Sequence, residues 1–220
     1  MLLPFELVAP SGVAAGSVPS VPPTAAPVPE NVSDEVLDVA FSGPLGWANA
    51  SVVVCVWSKS SAAVTCTLEG TRPLLLEIQS LVSPTDLAMP RRVGTGVDPK
   101  RLAMIVAVLA RHAGLPLGGA DVFVNVAGGV RIDEPGADLG IALAIASAAQ
   151  GVPVREGIGA FGEIGLTGRL RTAAQSDRRV DECRKLGLRT VLAPAGTKGA
   201  TVEAETLRSA LASGLAANPL

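Results

Sequence analysis

Fifty residues, Asp121 to Leu170, constrain this chain more than any other stretch. They open with Val122, Phe123, Val124 and Val126, a β-branched and aromatic run closed by Gly128 and Gly129, which predicts a strand. A loop with Asp133, Glu134 and Pro135 follows. The spacing then predicts an apolar helix from about Ala137 to Ala149, with Leu139, Ile141, Leu143 and Ile145 set among small residues. A short strand at Ala160-Phe161 leads into Gly162-Glu163-Ile164-Gly165-Leu166-Thr167-Gly168. Strand, helix and strand in that order predict helices packed on a sheet.

The flanking sequence extends the pattern. Ala63–Leu68 and Leu74–Gln79, separated by a Gly70 to Pro73 turn, predict a β-hairpin. Ser83 to Gly96, carrying Arg91 and Arg92, is expected to be a loop. Asp98 and Pro99 mark a helix start, and Gly114 marks its end. Asp177–Leu186 predicts a helix stopped by Gly187. Thr190-Val191-Leu192 predicts a strand ending at Pro194, and Glu203–Leu215 a last helix. The fold class expected is α/β, an α+β sandwich of mixed β-sheet and packed helices over residues 61–220. Residues 1–60 form a separate region. Seven prolines fall among its first 30 residues. They predict a disordered, Pro-Ala-rich segment, since proline removes donors and blocks regular structure. Ser33–Leu37 is a possible helix start within it, and Ser51–Trp57 reads as a strand.

Charge divides the same way. Residues 1–58 hold five acids and no Lys or Arg, whereas residues 59–220 hold 18 bases and 15 acids, a net of +3. The whole chain is at −2, which gives no global pull toward nucleic acid. Cys55, Cys66 and Cys183 are too few and too scattered for a disulfide framework or a zinc ligand set. No run of 18 apolar residues predicts a membrane span, and no targeting signal is expected.

Six phrases, in order, carry a resemblance: PRRVGTG, RLAMIVAVLARHAG, DVFVNVAGGV, EPGADLGIALAIAS, FGEIGLTGRLR and VEAETLRSAL. The phrases run from Pro90 to Leu211, and the resemblance covers roughly Ala62 to Leu215. The chain there resembles the Lon-protease-like C-terminal domain of the RadA/Sms DNA repair protein family. That resemblance implies a Lon-type fold, a place in recombinational repair, and assembly into an oligomer such as a hexameric ring. It also implies contact with single-stranded or branched DNA and work beside a RecA-type recombinase. The compartment implied is the bacterial cytoplasm or an organelle. ATP, Mg and Zn are expected only in the full-length family protein, where an ATPase core drives branch migration. Here no GxxxxGK[ST] phosphate loop occurs, so no cofactor is expected for these residues.

Lon-type proteases activate a Ser with a Lys of depressed pKa. Matched to the family, the Ser position falls on Gly136 and the Lys position on Asp177. No catalytic residue is therefore expected, and a Lon-type serine peptidase is the disfavoured alternative. His112, the only histidine, lies at a predicted helix end, where the dipole favours it as a cap rather than as a triad base. Asp133, Glu134 and Asp138 beside the former nucleophile loop fit acids at a helix N-terminus.

Seven bases fall between Arg169 and Arg189. Arginine forks suit phosphate oxygens. The DNA-contact candidates are Arg169, Arg171, Arg178 and Arg179, with Arg91 and Arg92 as a second group. Phosphate contact without base reading is the mode expected. The alternative is a solvated surface on a bare assembly module, with Arg178–Glu182 as an intrahelical pair.

Overall fold

The structure, a computed structural model, describes residues 62–216. The 1–60 segment, with its Ser33–Leu37 and Ser51–Trp57 elements and Cys55, lies outside the described residues.

Strands β1 (Ala62–Glu69) and β2 (Arg72–Pro84) form the expected hairpin, paired from Ala62↔Gln79 to Glu69↔Arg72. The 83–96 region departs from the expectation of a loop. β2 runs on to Pro84, and Arg92–Thr95 is a strand, β3. Only four residues long and containing Gly94, β3 has too little alternation to be seen in sequence. It exists because β4 (Ala120–Val126) offers it a parallel edge. Helix α1 (Pro99–Val108) starts as read: the Asp98 side chain accepts from the Arg101 N–H at 2.9 Å, and Pro99 opens the first turn. It ends in one wider turn, Leu109–Ala113, closed by Gly114.

Helix α2 (Asp138–Gln150) is buried continuously from Asp138 to Ser147. Its small residues make that possible. A Cβ on Gly140 would stand 2.5 Å from the Cβ of Thr65, so only glycine lets the helix lie this close to β1. Strand β5 (Ile158–Ala160) stops one residue before Phe161. β6 (Glu163–Ile164) and β7 (Leu170–Arg171) make a small ribbon of their own. Helix α3 (Ser176–Lys185) and strand β8 (Thr190–Pro194) follow as read, within a residue or two.

The last expected helix is divided. Val202–Ala204 forms strand β9, parallel to β8, and α4 is confined to Leu207–Gly214. Thr206 separates them: its side chain caps Ser209, fixing extended backbone before the helix. Helix-favouring Glu203 and Ala204 are overridden by the open edge of β8.

The seven-stranded sheet runs β3-β4-β2-β1-β5-β8-β9 and is mixed, with antiparallel pairing at β1–β2 and β2–β4 and parallel pairing elsewhere. The expected α/β fold class is the one found. One face carries the larger core, where Leu76 and Ile78 meet α1, α2 and α4. The other carries a smaller one, where Cys66 and Leu75 meet Val180 and Cys183 of α3. The 134–138 segment leads into α2, and its Gly136 lies against Arg179 of α3.

Candidate functional site

The chain leaves β4 and returns beside α1, where the Ile132 N–H donates to the Gly96 carbonyl at 2.8 Å. Glu134 follows in extended backbone, and its carboxylate turns forward to accept from the Gly136 N–H at 3.0 Å. That is an acid capping a helical turn, as the loop carboxylates suggested.

Glu134 does more than cap. Arg179, at the end of the first turn of α3, has no exposed side-chain surface. Its Nη1 and Nη2 donate to the two oxygens of Glu134, each at 2.7 Å. Nε donates to the Ala174 carbonyl at 2.9 Å, and Nη1 also donates to the Cys66 carbonyl. The guanidinium lies 5.8 Å over the Phe161 ring. The Thr67 hydroxyl donates to the same carboxylate at 3.0 Å. Burial works against charge on Glu134, but the Arg179 fork, the Thr67 hydroxyl and the Gly136 N–H outweigh it. The carboxyl is held below its ordinary value.

This pair occupies the space that the resemblance assigns to a nucleophile. A Cβ on Gly136 would meet Glu134 Oε2 at 2.6 Å and Arg179 Cζ at 2.8 Å. No side chain fits there while the pair is closed. Asp177, at the matched Lys position, is exposed in the first turn of α3. The nitrogen that reaches the Gly136 site comes instead from Arg179. A guanidinium stays protonated and cannot serve as a base. The hydroxyl within reach, Thr67, faces a carboxylate committed to Arg179.

A second buried pair stands next to it. Asp138 is almost fully buried, and Arg101 donates to it through Nε at 2.7 Å and through Nη2. The Ile164 N–H adds a bond at 3.1 Å. Burial pushes the Asp138 carboxyl up against the opposing pull of Arg101 and Ile164. Glu134 and the Arg101–Asp138 pair wall an open cleft of about 300 Å³ that also holds Asp98, Arg131 and Asp133. Arg131 and Asp133 pair with each other at 2.8 Å. Its lining includes no Ser, Thr, Cys or Lys. Among the described residues no cluster of His, Cys, Asp and Glu could hold a metal ion.

The six arginines read from sequence are not brought together. Arg169 and Arg171, beside and on β7, are exposed, with long contacts to Glu205 at 3.9 Å and Glu163 at 3.7 Å. Arg178 is exposed and donates to the Thr71 carbonyl at 2.9 Å, while Glu182 pairs with Lys185. Arg91 and Arg92 lie at the far sheet edge. Arg91 bridges Asp121 at 2.8 Å, and Arg92 donates to the Leu117 carbonyl at 2.7 Å and to that of Ala120. Arg179 is a correction to the sequence reading: it is an internal residue and presents no fork to a phosphate. The pattern Arg179, Val180 and Cys183, all buried on α3, was the signal for it. His112 sits in the closing turn of α1, its Nε2 at 2.9 Å from the Leu166 carbonyl.

Comparison with known proteins adds two findings. Residues 100–197 match a family model described as subunit ChlI of Mg-chelatase. The chain is also similar to proteins named DNA repair protein RadA. The relative from Halalkalibacterium halodurans is 47% identical over 135 residues, 61% of this chain and 30% of the relative. That from Escherichia coli K12 is 45% identical over 136 residues, 62% and 30%. That from Synechocystis is 43% identical over 140 residues, 64% and 28%. The chain thus spans about 30% of the length of the curated relatives it matches.

Proposed function

We propose, from the resemblance of this chain to the RadA family of DNA repair proteins, that it is a non-proteolytic scaffold acting in recombinational repair. The observation that carries the first half is the Glu134–Arg179 pair seated against Gly136. A peptidase of this lineage needs a hydroxyl and a neutral amine there. The chain supplies a buried, fully engaged guanidinium. The framework around it keeps its strands, its helix and its cleft, so what remains for it to do is to hold other parts in place. Assembly into an oligomer follows as the scaffold role.

DNA contact is assigned to Arg169 and Arg171, joined by Arg178. Arg169 and Arg171 combine exposure with long carboxylate contacts, which leaves their forks able to exchange a carboxylate for a phosphate, and the exposed Arg178 spends one nitrogen on the Thr71 carbonyl. Contact of this kind is backbone-directed and salt-dependent. ATP-driven steps, and any engagement with a RecA-type recombinase, are assigned to residues of the family protein beyond this domain. No helix among the described residues is long and apolar enough to cross a membrane.

Fluorescence anisotropy with a labelled single strand and a labelled fork tests the DNA role. Binding should be weak, indifferent to sequence and steeply lowered by salt. Arg169→Ala with Arg171→Ala should weaken it and flatten the salt dependence. An unchanged affinity in that variant overturns the assignment of the surface.

A further inference from the structure

Two exposed arginines outside the six considered above have no acid partner. Arg155 donates through Nε to the Leu215 carbonyl, at the end of α4, at 2.9 Å. Arg208, in the first turn of α4, donates through Nε at 3.3 Å and Nη2 at 3.1 Å to the His112 carbonyl. Among the described residues neither guanidinium forms an ion pair. Both Nη atoms of Arg155 and Nη1 of Arg208 also make no hydrogen bond there. These two cations are held in place by neutral carbonyls, and their charge is not offset.

The two side chains line one open cleft of about 370 Å³ beside α4. Leu211 and Leu215 give it an apolar surface, with the Gln150 amide as a further polar group, and its lining contains no Asp or Glu. The acids nearest in sequence are exposed. Glu156 follows Arg155 and takes part in no ion pair, and Glu205 precedes α4 and is turned toward Arg169 at 3.9 Å. Against these two acids stand Arg155, Arg208, Arg169 and the exposed Arg111 of the α1 closing turn, so the region is cationic on balance. Arg169 belongs to it by position. Its backbone bridges Thr206, and the Leu207 N–H donates to the Gly168 carbonyl at 2.8 Å. Arg169 and Arg208 thus share the N-terminal end of α4, and Arg155 marks the other end.

The arrangement favours a chain of phosphates over a single one. The backbone donors at the cleft are already spent: the Arg155 N–H on the Gly214 carbonyl, the Ala216 N–H on that of Pro153, the Leu215 N–H on that of Leu211. No nest of N–H groups is left to enclose a lone anion. The two free forks stand at opposite ends of α4, separated by a rise of about 10 Å, the axial rise of about three nucleotides. The leucines between them suit the sugar carbons and base faces of a strand.

We propose that a nucleic-acid strand lies along α4, its phosphates held by Arg208 and Arg155 and continuing to Arg169. The proposal rests on the DNA-contact reading above and adds the two residues that anchor the strand.

Anisotropy titrations of a labelled single strand on the full chain, over a series of salt concentrations, test it. Arg155→Gln with Arg208→Gln should bind ~10-fold more weakly at low salt, and the slope of log affinity against log salt should fall by about 0.7 for each arginine. Arg155→Lys with Arg208→Lys keeps both charges and should keep the slope. Ala212→Glu puts a carboxylate on an exposed position of the cleft without removing either arginine. It should weaken binding while leaving thermal unfolding unchanged, which separates loss of contact from loss of fold. Pyrophosphate should displace the strand only at concentrations where it acts as bulk salt. Wild-type slope and affinity in both the Gln pair and Ala212→Glu, with binding still lowered by Arg169→Ala plus Arg171→Ala, overturn the α4 path and leave the DNA role standing. Displacement by micromolar pyrophosphate overturns the strand as occupant in favour of a free phosphate. A wild type that binds no strand at low salt overturns both readings.

Discussion

Glu134 and Arg179, 45 residues apart in sequence, meet in a fork with both N···O distances at 2.7 Å, closed over Gly136. This fork joins the loop before α2 to the first turn of α3. Arg179 also binds the Cys66 carbonyl, so β1 is drawn into the same junction.

Removing one partner should be costly. Glu134→Ala leaves a guanidinium buried without its counter-ion, and loses about 3–5 kcal/mol of stability. Glu134→Leu with Arg179→Met removes both charges and should recover most of that loss, because well-packed apolar replacements of a buried pair are often neutral. Urea unfolding of the two variants checks the difference.

Gly136→Ser should not restore a nucleophile. Its Cβ would press on Glu134 Oε2 and on the guanidinium, and overpacking of that kind costs roughly 1–3 kcal/mol. A lower urea midpoint, with no gain of peptide cleavage, is the expected outcome.

The same pair sets an acid limb. The folded-state pKa of Glu134 lies below its ordinary value, a net in which the Arg179 bonds exceed the cost of burial. Its contribution is complete above the unfolded value, about 4.3, and is lost as pH falls through the folded value. Glu77 and Asp138 work the other way, since burial raises both. The wild type alone therefore mixes opposite trends. Subtracting the Glu134→Gln stability profile isolates the limb, and the gap between the two should narrow as pH drops below that value.

Cys66 and Cys183 are free and buried together under α3. The bond with Cys183, and then burial, push the Cys66 thiol up. A buried thiol with little thiolate is inert. Neither should react with an alkylating reagent in the native chain, and peptide mapping after unfolding should find both newly modified.

Much of the fold was legible because periodicity and punctuation agreed. Asp98-Pro99 started α1, Gly114 closed it, and the small-residue run from Ala137 was the buried helix. The failures share one cause. β3 and β9 are short segments made into strands by the edges of β4 and β8, and neither edge is visible in local sequence. The site divides likewise. The resemblance located Gly136 and Asp177, but not what fills the space between them. Arg179 was grouped with surface bases because its neighbours in sequence are charged. Its burial follows from the helical face it shares with Val180 and Cys183, and from a carboxylate supplied by another loop.

The central claim is that the peptidase position is filled and silent. The direct measurement is turnover of casein and of a fluorogenic peptide by the purified chain, alongside Thr67→Ala and Glu134→Gln. Thr67 is the hydroxyl that donates to Glu134, the carboxylate seated against Gly136. No cleavage above a no-protein blank is expected from any of the three. Cleavage by the wild type that disappears in either variant would contradict the account.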